Sequence, residues 1–157
     1  MNVRPAEEGE IDYLADLWHV CWHESHPQFV PPELTRLRTL DNFRSRLQAL
    51  LRSIRVVGPS GAPLGFCIVK DDELYQLFVS PQVRGSGVAA SLITDAEERL
   101  AQSGVDTAWL ACAIGNERAS RFYEKSGWHR VGTMVDPLET SIGKFPLEVW
   151  RFEKRLR

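Results

Sequence analysis

The sequence contains no apolar run approaching the roughly 20 residues a membrane-crossing helix requires, so no membrane partner is expected. Its opening, MNVRPAEEGEID, turns acidic early and lacks the charged-then-apolar order of a secretory leader, which makes a cytoplasmic protein the expectation. Cysteine is scarce. Cys21, Cys67 and Cys112 stand about 45 residues apart, a spacing that fits neither the close pairs of zinc sites nor an even-numbered disulfide framework. Free, buried thiols are the expected state. Excess positive charge is also missing: a formal net charge of −2 leaves none of the basic footprint of a nucleic-acid-binding domain, and no nucleic-acid partner is expected.

What is present is the material of an ordinary globular core. Hydrophobic residues at 43% and charged residues at 25% exclude a disordered or fibrous chain, and 157 residues suit one domain spanning 1–157. NVRPA reads as a short strand ended by Pro5, and Ile11, Leu14, Trp18, Cys21 and Trp22 follow at helical spacing. HESHPQFVPPEL holds three prolines and is expected to be a loop; Leu40, Phe43, Leu47, Leu50 and Leu51 then mark a second helix.

From Ile54 the period changes, and IRVV, LGFCIVK and LYQLFVS predict three strands of an antiparallel meander. SGVAASLITDAEERLAQSG is a third amphipathic helix closed by Gly104, and VDTAWLACA a further strand. NERASRFYEKSG predicts a short helix capped by Asn116 and ended by Gly127, followed by the strands WHRVGTMV and FPLEVWRFEKRL. Residues 136–144 carry no clear pattern. The order β-α-α-β-β-β-α-β-α-β-β describes an α/β (α+β) fold around a single mixed, mostly antiparallel sheet of about seven strands, with four helices.

The stretch VRGSGVAASL, between an apolar strand and a helix, has two readings. A glycine-containing turn that opens a helix presents unpaired N–H groups at the positive end of the helix dipole, where an anion is favoured; the same glycines also suit a plain tight connection. It is not a P-loop, and GSGVAA lacks the glycine spacing of a dinucleotide fingerprint.

The second half of the chain favours the anion. LYQLFVSPQVRGSGVAASL resembles the signature of the GNAT superfamily, the acyl-CoA-dependent N-acetyltransferases, in which a fourth strand is followed by Gln or Arg, then Gly three places on and Gly or Ala two further; Arg84, Gly87 and Ala89 fill those places. NERASRFYEKSGW resembles the family's later motif through Asn116, Ala119, Phe122, Tyr123, Lys125, Gly127 and Trp128. The likeness covers residues 54–128 well, and the element order agrees throughout. It implies acetyl-CoA as cosubstrate, with its pyrophosphate on Arg84, Gly85, Ser86, Gly87, Val88 and Ala89, and Ala90 and Ser91 at the edge. The pantetheine arm would pair with the main chain of Phe78 and Val79, much as an added strand would, and a backbone N–H near Val79 would serve as oxyanion donor.

Asn116 and Tyr123 lie seven residues apart, within about 20° on the helical wheel. The resemblance assigns Asn116 to the cofactor arm and Tyr123 to the acid that protonates the departing thiolate, a phenol of pKa ~10 against a thiol of ~8.5. On the attacking side, an amine of pKa ~10.4 is about 3.4 units, or roughly 4.6 kcal/mol, from its free-base form at pH 7, so a base is needed. Glu73 is the candidate catalytic base; its alternative is a solvated hairpin carboxylate. Trp22, His23, Glu24 and Phe29 are candidate acceptor neighbours, because the first two helices often wall that pocket in the family. HVCWHESH is not H-E-x-x-H, and no metal is expected.

The resemblance thus implies acetyl transfer to a primary amine on a small molecule or a protein, with a non-catalytic acyl-CoA-binding or sensing domain as the alternative. The apolar tail FPLEVWRF is open to two readings, a homodimer contact or completion of the core.

Overall fold

The structure, a computed structural model, describes residues 2–157. The strands are β1 (Val3–Pro5), β2 (Ile54–Val57), β3 (Gly65–Lys70), β4 (Glu73–Val79), β5 (Thr107–Ala113), β6 (His129–Thr140) and β7 (Gly143–Arg155). The helices are α1 (Ile11–Ser25), α2 (Pro32–Leu37), α3 (Leu40–Leu50), α4 (Val88–Gln102) and α5 (Glu117–Lys125). All seven strands form one sheet in the order β1-β2-β3-β4-β5-β7-β6, antiparallel except for the central β4–β5 pair.

Each face of the sheet carries its own core. On one side Trp18, Phe43 and Leu47 of α1 and α3 pack on Val56, Phe66 and Ile68; on the other Leu92, Ala96 and Leu100 of α4 pack on Cys67, Leu110 and Phe152. All of these are almost completely removed from water, which is why the amphipathic pattern of α1, α3 and α4 reads so clearly.

Two features differ from the sequence-based expectation. The proline-rich segment is more than a loop: α1 runs on to Ser25, and α2 starts at Pro32, making five helices rather than four. Proline at the first helical position costs nothing, because that N–H has no intrahelical partner in any case. The unpatterned stretch 136–144 belongs to a long β6–β7 hairpin, paired from His129↔Glu153 to Thr140↔Gly143. Pro137 and Pro146 face one another there, which the sheet tolerates because β6 is an edge strand and the β5–β7 pairing ends at Ala113↔Val149.

The central pair decides where a ligand can enter. β4 pairs with β3 from Glu73 to Val79 except at Tyr75, but with β5 only at Glu73↔Trp109. A bulge lies in the β3–β4 ladder where Ile68↔Gln76 gives way to Val69↔Leu74, leaving Tyr75 unpaired; bulges of this kind bend a strand and end pairing beside functional sites. Beyond Glu73 the strands therefore part, and the β5-facing edge of β4 is free.

Candidate active site

The gap between β4 and β5 opens into a cleft of about 520 Å3. Its walls are β4 from Glu73 to Val79, the turn into α4, the start of α5 with the end of β5, the inner face of β6–β7 and the C-terminal end of α1.

At one end lies the glycine-rich turn. Gly85 (φ +81°) and Gly87 (φ +90°) both occupy the left-handed region, which a Cβ makes costly, and Gly87 caps α4. The Ser86 N–H is used by Val83 O at 3.2 Å, and the first α4 N–H to find an acceptor is that of Ser91, on Gly87 O at 3.0 Å. The N–H groups of Gly85, Gly87, Val88, Ala89 and Ala90 therefore have no backbone acceptor among the described residues. Together with the α4 dipole, they make a cradle for an anion.

Arg84, Gly85, Gly87, Ala89 and Ala90 line the cleft, whereas Ser86, Val88 and Ser91 do not; Val88 is buried beneath the turn. Arg84 lines it while bound to Glu24, Nη1 to Oε1 at 2.7 Å, so an incoming anion would compete with that carboxylate for the guanidinium. Phe78 and Val79 contribute the free edge of β4. The Val79 carbonyl already accepts from the Cys21 thiol at 3.5 Å.

Across the gap, Asn116 and Tyr123 both line the cleft. Asn116 is the N-cap of α5, its Oδ1 accepting from the Ala119 N–H at 3.2 Å, which leaves its amide N–H groups for another partner. Tyr123 packs against Phe122 and Phe152, and burial pushes its phenol above the usual value, so it stays protonated throughout the neutral range. Cys112, close by, is pushed up to about 12 by burial, which holds this packed thiol in its neutral form.

Glu73 sits where β4 and β5 are still joined. Burial, and then the charge of Asp136, push its carboxyl up to about 8, with Lys70 and Arg151 opposing. A carboxyl held near 8 exchanges a proton in the working range, unlike a solvated hairpin carboxylate. Asp136, on the inner face of β6, lines the same cleft and is itself raised by burial. Sequence reading missed it because the hairpin that presents it carries two prolines. Alternation with Met134 and Leu138 was the one available signal.

The acceptor candidates divide. Trp22 is buried and lines the cleft. His23 does not line it, and its Nε2–H donates to Arg38 O at 2.6 Å. Glu24 lies outside, held by Arg84, and the Phe29 ring sits against Gly115. In their place Ser25, His26, Val30, Leu34, Tyr75 and Leu138 complete this end. Among the described residues no cluster of His, Cys, Asp or Glu is arranged to hold a metal, and no helix is long and apolar enough to cross a membrane.

The cleft thus combines a splayed central strand pair, an amide cradle at a helix start and buried titratable side chains. Residues 11–128 match the model of the acetyltransferase (GNAT) family, and the chain belongs to that family. An uncharacterized N-acetyltransferase of Mycobacterium tuberculosis is 32% identical over 110 residues, covering 67% of this chain and 68% of that protein. A GCN5-related N-acetyltransferase from Rhodopseudomonas palustris superposes with a TM-score of 0.76 at 18% identity, over 98% of this chain and 94% of the other. A putative acetyltransferase from Salmonella typhimurium, solved with acetyl-CoA, superposes with a TM-score of 0.69 at 14% identity, over 100% and 94% of the two chains.

Proposed function

We propose that the whole chain is one N-acetyltransferase domain that moves an acetyl group from acetyl-CoA to a primary amine by direct attack. The observation that carries this reading is the convergence in one cleft of the free amide cradle at Gly85–Ala90 with Glu73, a carboxyl held near 8. The cradle suits a pyrophosphate, and the open edge of β4 suits an amide-bearing chain laid along it. Acetyl-CoA supplies the acetyl group as an activated thioester.

The chain's own residues manage position and protons. Glu73 takes the proton that the acceptor ammonium must lose before its nitrogen can bond to the acetyl carbon. The β4 main chain around Phe78 and Val79 orients the thioester, and Tyr123 delivers a proton to the sulfur as the carbon–sulfur bond breaks, the second proton shed by the nitrogen as the amide forms restoring the phenol. Orientation of the two reactants supplies several kcal/mol of the acceleration. Three free, buried cysteines fit a reducing compartment such as the cytoplasm.

Tyr123→Phe tests the acid. Thiol release from acetyl-CoA should slow about 100-fold or more while the acetyl-CoA Kd stays within about twofold; unchanged turnover would remove Tyr123 from the mechanism. Asp136→Asn tests the electrostatic coupling. Removing a like charge should let the Glu73 carboxyl ionise at lower pH, so the rising limb of kcat/KM against pH should move to lower pH by about one unit or less.

A further inference from the structure

Ser25, the last residue of α1, and His26, its C-cap, both line the cleft. Ser25 Oγ makes two short polar contacts, 2.9 Å to Cys21 O and 2.7 Å to His26 Nδ1. A hydroxyl has one proton, and a backbone carbonyl can only accept. The Ser25 proton therefore lies on the Cys21 side, and the contact to His26 is a hydrogen bond only if Nδ1–H donates to Ser25 Oγ. A neutral imidazole carries a single N–H, so Nε2 is left as an acceptor. It has no partner among the described residues, and it is not among the buried atoms sealed off without one.

The ring is fixed in this state. It stacks on Trp22 with centroids 5.3 Å apart at 11°, and tilts against Phe78 at 5.9 Å. The His26 N–H donates to Trp22 O at 2.8 Å, and its carbonyl accepts from the Phe29 N–H at 2.8 Å. Burial, then Arg38 and His23 nearby, push the imidazole down to about 4, so it stays neutral around pH 7. His23, three residues earlier, holds the opposite tautomer because its Nε2–H faces the Arg38 carbonyl.

The surroundings of His26 restrict what can meet that lone pair. Trp22, Val30, Leu34, Tyr75, Leu138 and Leu147 line the same cleft; its carboxylates are Glu73 and Asp136, and its cations Arg84 and Arg118. Such a wall suits one ammonium on an apolar body and offers little to a polycation. We propose that His26 is a specificity-determining residue whose Nε2 accepts a hydrogen bond from an O–H or N–H on the body of the acceptor, which is an aryl-alkyl primary amine. This rests on the acetyltransferase reading above, and it adds the acceptor class and the atom that reads it.

Two probes differing by one hydroxyl, tyramine and phenethylamine, test the proposal through thiol release from acetyl-CoA. The wild type should favour tyramine about three- to tenfold in kcat/KM, the difference lying in KM, as a single neutral hydrogen bond would give. His26→Phe should bring that ratio to about one, and His26→Gln, which keeps an acceptor oxygen, should retain most of it. The imidazole nitrogen chemical shifts of the wild-type protein at pH 7 should report His26 as the Nδ1–H tautomer, independently of any variant.

Equal use of the two amines by the wild type, a preference that survives His26→Phe, or an Nε2–H tautomer would overturn the proposal. Turnover of other primary amines but neither probe would overturn the acceptor class alone. Failure of every primary amine would overturn the acetyltransferase reading itself.

Discussion

Glu73→Gln is expected to lower kcat/KM at pH 8 by about 100- to 10,000-fold, the range that a positioned proton acceptor supplies. Gln has nearly the same shape but cannot take the ammonium proton. The pH dependence should identify the group. With its carboxyl pushed up to about 8, Glu73 is mostly neutral at pH 6 and mostly ionised at pH 9, so wild-type kcat/KM should climb through pH 8. In Glu73→Gln that limb should vanish. A limb that persists unchanged would assign the base elsewhere.

The same shift has a consequence for folding that can be measured without substrate. The Glu73 pKa is higher in the folded chain than the ordinary carboxylate value of 4.5. Its contribution to stability is therefore fully present below about pH 4.5 and is lost as pH rises through about 8. Wild-type Tm should fall relative to Glu73→Gln between pH 5 and 9. A constant difference in Tm would mean that Glu73 is an ordinary, solvated carboxylate.

The second large effect is expected at the start of α4. Gly87→Glu should raise the acetyl-CoA Kd at least 100-fold in a calorimetric titration. Two causes act together. A Cβ at φ +90° costs roughly 1–2 kcal/mol, and a carboxylate at the helix cap sits against N–H groups that must be free for a phosphate.

Gly85→Ala separates these causes. Gly85 also has positive φ (+81°), but an added Cβ there would meet nothing within 4 Å, so only the backbone strain is added. That variant should lose about 1 kcal/mol of stability and bind acetyl-CoA within a fewfold of wild type. Unchanged affinity in Gly87→Glu would return the turn to a plain strand-to-helix connection.

The contrast between the two ends of the cleft follows what local sequence can encode. Around α4 the information is local: positive-φ glycines, a single arginine and an apolar stripe lie within twenty residues, so the turn, the helix and the free amides can be read together. Tyr123 and Asn116 were equally accessible because one short helix carries both.

The acceptor end is assembled from parts far apart in the chain. Asp136 reaches Glu73 only because β6 and β7 form a long hairpin despite Pro137 and Pro146, and the α2 wall begins at a proline that reads as a loop. His23 and Glu24 stand in sequence beside Trp22, but helical rotation turns them to Arg38 and Arg84 while His26 comes to the cleft. The state of His26 depends on a Ser25 hydroxyl whose proton is already committed to Cys21 O, a geometric fact with no sequence signature.

The most direct test of the central claim is thiol release from acetyl-CoA, followed with a panel of primary amines and with mass analysis of the amine product. The account predicts saturable, amine-dependent release matched one-for-one by N-acetylated product and strongly reduced in Glu73→Gln. Acetyl-CoA binding with no amine-dependent release across the panel would contradict it and leave a domain that binds the thioester without transferring its acetyl group.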